Sequence, residues 1–220
     1  GMGIDNAAIE MDGPEVPIMD GSSEPFVFLL ECAGTVAQEA PRRVIEVLKR
    51  VEVREGNSVA VLEPHAEGFV LDITIGFPHP AVPEQQAVYD FGVTSFKQSL
   101  CRARTFGFAR AVEKMHSMGL ALGGSLKNAV VIGDEGVINE EGLRYPDEFV
   151  RHKALDVVGD YYLAGGALLA RATTVKPGHG INNKLMRALF ADVANYRIVG
   201  QDEAMLPAMA PEMARPPGLA

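Results

Sequence analysis

The chain has 220 residues, 47% hydrophobic and 22% charged, which bounds it as one large globular domain or two small ones. Its formal net charge of -9 argues against duplex nucleic acid or an anionic membrane surface as the main partner. Two distant cysteines, Cys32 and Cys101, give neither a disulfide framework nor a CxxC metal site and fit a reducing compartment. The opening residues carry Asp5 and Glu10 and read as no signal peptide, and no apolar run of about 18 residues is long enough to cross a membrane.

Gly1-Met2 reads as a tag scar or an internal methionine taken as a start, and residues 7–11 as a short strand broken by Pro14, Pro17, Asp20 and Gly21. Ser22 or Ser23 can cap a helix with Glu24 and Pro25 in its first turn, ended at Ala33-Gly34. A meander follows: 44–53, a turn at Glu55-Gly56-Asn57, 59–62, 69–77 and 87–93. Thr94 can cap a helix through Arg104, and a further helix fits 107–118, stopped by Gly119. Short strands are expected at 130–132 and 137–138. The strongest helix runs 147–163, with Asp147 and Glu148 where the helix dipole favours negative charge and Gly165-Gly166 at its end. A strand at 168–173 leads through Lys176-Pro177-Gly178-His179-Gly180 into a helix at 182–193. From Gln201 onward the Pro-, Ala- and Met-rich sequence reads as a loose tail. Strands grouped ahead of helices point to an α+β fold.

His152 and Asp156 lie four apart on the strongest helix and share a face, and Asp160 continues that face one turn later. A His/Asp pair at this spacing can chelate zinc or form a solvated ion pair, and a zinc amidase needs three protein ligands and an open position. His179, in a glycine-flanked loop before a helix, could stabilise an oxyanion or protonate a leaving amine, or simply be exposed. Thr105 could cap a helix or donate to an oxyanion, and Lys153 could meet a phosphate or be solvated. Val112, Met115, Ala121 and Leu122 could line an acyl groove or form core.

The order and wording of these segments add what their spacing leaves open. RTFGF at 104–108, GLALGGS at 119–125, GLRYPDEFVRHKALDVVGD at 142–160 and KPGHGINNKL at 176–185 resemble successive blocks of the UDP-3-O-acyl-N-acetylglucosamine deacetylase family. GIDN at 3–6 and PEVPIMDGSSEPF at 14–26 fit the same pattern, and the resemblance reaches to about Asn195. It implies a cytoplasmic zinc amidase of Gram-negative lipid A biosynthesis that releases acetate from a UDP-linked acylated amino sugar. His152 and Asp156 match zinc ligands, His179 the catalytic histidine, Asp160 its orienting carboxylate and Thr105 the oxyanion hydroxyl. Lys153 matches a lysine near the diphosphate and Phe77 an aromatic near the uracil. Phe106 belongs to the substrate-binding set, and Val112, Met115, Ala121, Gly124 and Ser125 match the acyl passage.

The implied fold is two similar α+β domains, each a layered sheet with helices packed between them. Residues 1–40 would be the remnant of an incomplete first domain, 41–200 the second and 201–220 a flexible tail. In the family, the third zinc ligand is a histidine preceded directly by the general-base glutamate, both upstream of the GIDN segment. No Glu-His dipeptide occurs in this sequence. The expectation is a truncated deacetylase impaired alone. The alternatives are a non-catalytic UDP-acyl-sugar-binding or regulatory remnant, and a homodimer covering the exposed first-domain edge.

Overall fold

The computed structural model describes residues 1–119 and 122–201, apart from the side chains of 113–116 and 201. Ala121, the side chain of Met115 and the expected tail from 202 lie outside the described residues. The fold is α+β: a seven-stranded sheet, a separate three-stranded sheet and helices packed between elements far apart in sequence.

Residues 7–11 pair with no strand among the described residues, and the extended chain instead runs to a turn at 18–21. α1 (Glu24–Ala33) starts at Ser23, whose hydroxyl donates to the Cys101 carbonyl and accepts no capping bond from its own helix. The expected single segment 44–53 is two strands, β1 (Arg42–Val47) and β2 (Val51–Glu55), separated by Leu48–Arg50. A tight hairpin joins β2 to β3 (Ser58–Pro64). β4 (Phe69–Ile75) pairs antiparallel with β5 (Gln85–Asp90).

The helix expected from Thr94 to Arg104 is only the single turn α2 (Phe96–Ser99), and its cap is Ser95, whose hydroxyl accepts from Gln98 N–H. Likewise the helix expected from 107 begins later. Residues Phe106–Phe108 form β6, α3 spans Ala109–Ser117, and β7 (Val130–Gly133) returns parallel to β6. β8 (Gly136–Val137) closes the small sheet. Thr105 therefore stands at the entry to a strand, and helix capping is not its role.

α4 (Glu148–Tyr161) stops two residues before the expected end, continuing as a 3-10 turn over Tyr162–Ala164. Gly165 then adopts φ 80°, a left-handed conformation that glycine takes without a Cβ clash. β9 (Ala167–Val175) is the central strand: its first residues pair parallel with β1, and the rest lie between β3 and β4. α5 (His179–Phe190) begins three residues earlier than expected, at the histidine itself. β10 (Tyr196–Gln201), unexpected from the sequence, pairs with β1.

α5 packs on β2 and β3, α4 on β4 and β5, and the two helices pack on each other. One core unites Leu62, Leu71, Ile73, Ala170 and Ala172 of the sheet with Val150, Ala154 and Val157 of α4 and Ile181, Leu185 and Leu189 of α5. Each of the buried valines, leucines and isoleucines contributes about 1.5–3 kcal/mol. This packing fixes α4 along its length, so the polar residues on its other face have defined positions.

Candidate functional site

α4 presents His152, Asp156 and Asp160 in three successive turns. His152 is buried, 7% exposed, because Phe106 and the 103–105 segment cover it. Its Nδ1 lies 3.0 Å from the Ala103 carbonyl, which fixes the Nδ1–H tautomer and leaves Nε2 as a lone-pair donor. Burial pushes the imidazole below its ordinary value, against the opposing pull of Asp156, so the ring is held towards its neutral, ligating form. His152 Nε2 and Asp156 Oδ1 are 3.4 Å apart. Two ligands about 2.0–2.2 Å from one tetrahedral ion sit roughly 3.3 Å apart, so the pair can hold such an ion without rearrangement. No third His, Cys, Asp or Glu joins them in a metal-binding cluster among the described residues.

Asp156 Oδ2 accepts from Lys153 Nζ at 2.9 Å, and that ammonium stands 5.6 Å from the centre of the Phe106 ring. Phe106 packs edge-on to Phe149 and Phe77, and Phe77 also meets Phe108, with His79 against Phe108. The structure thus brings Phe77, Phe106 and Lys153 together beside His152.

One turn on, Asp160 faces the start of α5. Its two carboxylate oxygens lie 3.0 and 2.9 Å from His179 Nδ1. Asn182 Nδ2 donates to Oδ2 at 2.8 Å. His179 is otherwise open to solvent, its side chain 73% exposed.

Thr105, His152 and Leu155 line one cavity of about 340 Å³ together with Pro17, Ile18, Gly21, Ser22, Ser23 and Phe26. The turn opposite α4 is clamped tightly. Thr105 N–H donates to the Gly21 carbonyl at 2.7 Å, and the Thr105 carbonyl accepts from Val130 N–H at 2.8 Å. Asp20 holds Arg144 at 2.7 Å and accepts from Ser22 N–H and Oγ. Gly21 has φ 83°, and a Cβ there would fall 2.1 Å from the Asn128 carbonyl oxygen. Of the residues expected at the acyl passage, Val112 on α3 lies over Gly107, and Ser125 begins a turn closed by Asn128.

Sequence reasoning missed the polar frame behind this site. Arg104, directly before Thr105, is 4% exposed and pairs with the fully buried Glu148, one turn before His152 on α4. Glu148 also accepts from the backbone N–H groups of Arg104 and Arg144, and Arg104 reaches Glu141 and the Gly142 carbonyl. Asn182 was missed as well; its three-residue spacing from His179 was the available signal.

Residues 1–191 match the family model described as LpxC: UDP-3-O-acyl N-acetylglycosamine deacetylase. The UDP-3-O-acyl-N-acetylglucosamine deacetylase of Stenotrophomonas maltophilia (strain K279a) is 50% identical over 209 residues, covering 94% of this chain and 69% of that protein. That of Acidithiobacillus ferrooxidans is 49% identical over 209 residues, covering 94% and 68%. That of Tolumonas auensis is 48% identical over 204 residues, covering 92% and 66%. With this degree of identity running from the segment before α1 to beyond α5, the chain belongs to the UDP-3-O-acyl-N-acetylglucosamine deacetylase family of amide hydrolases.

Proposed function

We propose that this chain carries the metal- and substrate-facing part of a zinc-dependent deacetylase site. The reaction is hydrolysis of the N-acetyl group of UDP-3-O-(3-hydroxyacyl)-N-acetylglucosamine, in the cytoplasm, as a step of lipid A biosynthesis. The observation that carries this reading is the row of His152, Asp156 and Asp160 on one face of α4, with His179 against Asp160.

His152 Nε2 and Asp156 Oδ1 would hold zinc, which when bound acidifies a water and polarises the amide carbonyl. Asp160 accepts at His179 Nδ1, leaving Nε2 to hold or deliver a proton at the leaving amine or to donate to the oxyanion. Thr105, on the cavity wall with His152, supplies a hydroxyl donor to the same oxyanion. Phe77 and Phe106 offer ring faces to the uracil, and Lys153 charge to the diphosphate. Val112, Met115, Ala121, Gly124 and Ser125 would border the acyl chain.

Two candidate ligands and no adjacent general base among the described residues support the further reading that this chain alone hydrolyses poorly. Residues 1–40 then act as part of a first domain, on which Ile9, Met11, Val16 and Phe28 are exposed apolar side chains that a second copy could cover. The test is zinc titration of the purified chain together with an assay of acetate release from the UDP-acyl-sugar. The expected result is one zinc per chain, lost in His152→Ala, with slow release. A chain that takes up neither zinc nor the nucleotide sugar sinks the proposal. Nucleotide-sugar binding with no hydrolysis at any zinc concentration selects the non-catalytic binding protein instead.

A further inference from the structure

Asn182 sits in the first turn of α5, three residues after His179, so both side chains leave the helix on the side that meets the end of α4. There they converge on one carboxylate. Asp160 Oδ2 is 2.9 Å from His179 Nδ1 and 2.8 Å from Asn182 Nδ2. The two residues differ sharply in surroundings: His179 is largely exposed, whereas Asn182 has no exposed surface at all.

The Asn182 amide has a second feature. Its Oδ1 is buried without a hydrogen-bond partner. A buried acceptor left unpaired costs stability, and an aliphatic side chain of the same size would fill the site without that cost. Flipping the amide makes matters worse, because Oδ1 would then face the Asp160 carboxylate. The orientation is therefore dictated by Asp160. The fold tolerates an unsatisfied carbonyl in order to keep an N–H donor on this oxygen.

From this geometry we infer that Asn182 is a positioning residue: it pins the Asp160 carboxylate so that it faces His179 and holds that ring in its Nδ1–H tautomer. Asp160 lies in the last turn of α4, where the helix dipole disfavours a negative charge, and its nearest compensation comes from α5. His179 has no other polar contact among the described residues to fix its ring. Without Asn182, Asp160 is free to rotate towards solvent. The exposed imidazole then reverts towards the Nε2–H form, the one an unconstrained neutral histidine prefers.

The inference rests on the role proposed above for His179, but its test does not require activity. Two-bond proton–nitrogen correlation spectra of the neutral His179 ring in the 220-residue chain report the tautomer directly. The native chain should show Nδ1–H, and Asp160→Asn, as a control, should lose it. Asn182→Leu should lose it too, while its urea midpoint stays at or above the native value, because the orphaned carbonyl has gone. Asn182→Ala removes the donor and the orphaned carbonyl without adding bulk, and it should also lose the Nδ1–H signal. Should Asn182→Leu fail to fold, Asn182→Ala decides. Retention of the native tautomer in a folded variant at this position overturns the inference, as does a native chain that lacks it. If the tautomer shifts as expected but His179→Ala releases acetate at the native rate, the positioning role stands and the function proposed for His179 falls.

Discussion

Glu148 accepts three hydrogen bonds from Arg104, from the backbone N–H and Nε at 2.9 Å each and from Nη2 at 3.2 Å, with no solvent reaching the carboxylate. One partner directly precedes Thr105 and the other lies one turn before His152. The pair ties the wall of the cavity to the helix that carries His152 and Asp156. Removing a single member leaves an uncompensated buried charge, which costs about 3–5 kcal/mol. Glu148→Ala is expected to lose that much in urea unfolding. Arg104→Met combined with Glu148→Leu should recover part of it. Recovery stays incomplete because the N–H groups of Arg104 and Arg144 are left without acceptors, at about 1–3 kcal/mol each.

The same carboxylate sets an acid limit. Burial raises Glu148, but Arg104 and the N–H groups of Arg104 and Arg144 outweigh it, and the net result lies below the ordinary 4.5. The unfolded chain then binds the proton more readily than the folded one, so stability rises with pH through this window. The contribution is complete above 4.5 and is lost as pH falls through the folded value. Asp20 behaves in the same way: Arg144 and Ser22 overcome burial and hold it below 3.8. Urea midpoints measured against pH should fall below 4.5, and Glu148→Gln should flatten that decline.

Gly21→Ala should damage the cavity from the opposite side. The new Cβ would sit 2.1 Å from a backbone oxygen of Asn128, in a residue at φ 83°. Backbone cannot yield as a flexible side chain can. The expected loss is at least about 1–3 kcal/mol in thermal or chemical unfolding, with the Thr105 amide proton losing protection from hydrogen exchange.

Zinc uptake should depend on both residues of the 3.4 Å pair. Changes around a ligand typically cost about 10–100-fold in metal affinity, and removal of a ligand should exceed that. Titration of Asp156→Asn and His152→Ala with zinc against a competing chelator checks this. Lys153→Met should bind zinc at least as well as the native chain, because it frees Asp156 from an ammonium at 2.9 Å.

Much of this frame was legible from local pattern. The core-facing periodicity of α4 and the alternation of β4 are carried by residues whose neighbours in sequence are also their neighbours in space. The row from His152 to Asp160 followed from the helix repeat alone. The errors share a cause. Thr105 looked like a helix start because β6 is three residues long and gains its identity from Val130–Ile132, more than twenty residues away. Glu148 looked like a charge placed for the helix dipole, but it is buried by a partner 44 residues distant. Residues 7–11 read as a strand, yet a local reading does not supply an edge to pair with, and they pair with none among the described residues.

β9 is the middle of the large sheet and also the segment that delivers the chain to His179. During synthesis β1 to β5 emerge well before β9, and three of them wait for a neighbour made roughly a hundred residues later. Pairings this distant form slowly and leave strand edges open in the interval. The order of translation therefore sets the start of α5 only after β9 has found its neighbours, and a ribosome-stalled chain ending before Ala167 should be caught by chaperones or precipitate.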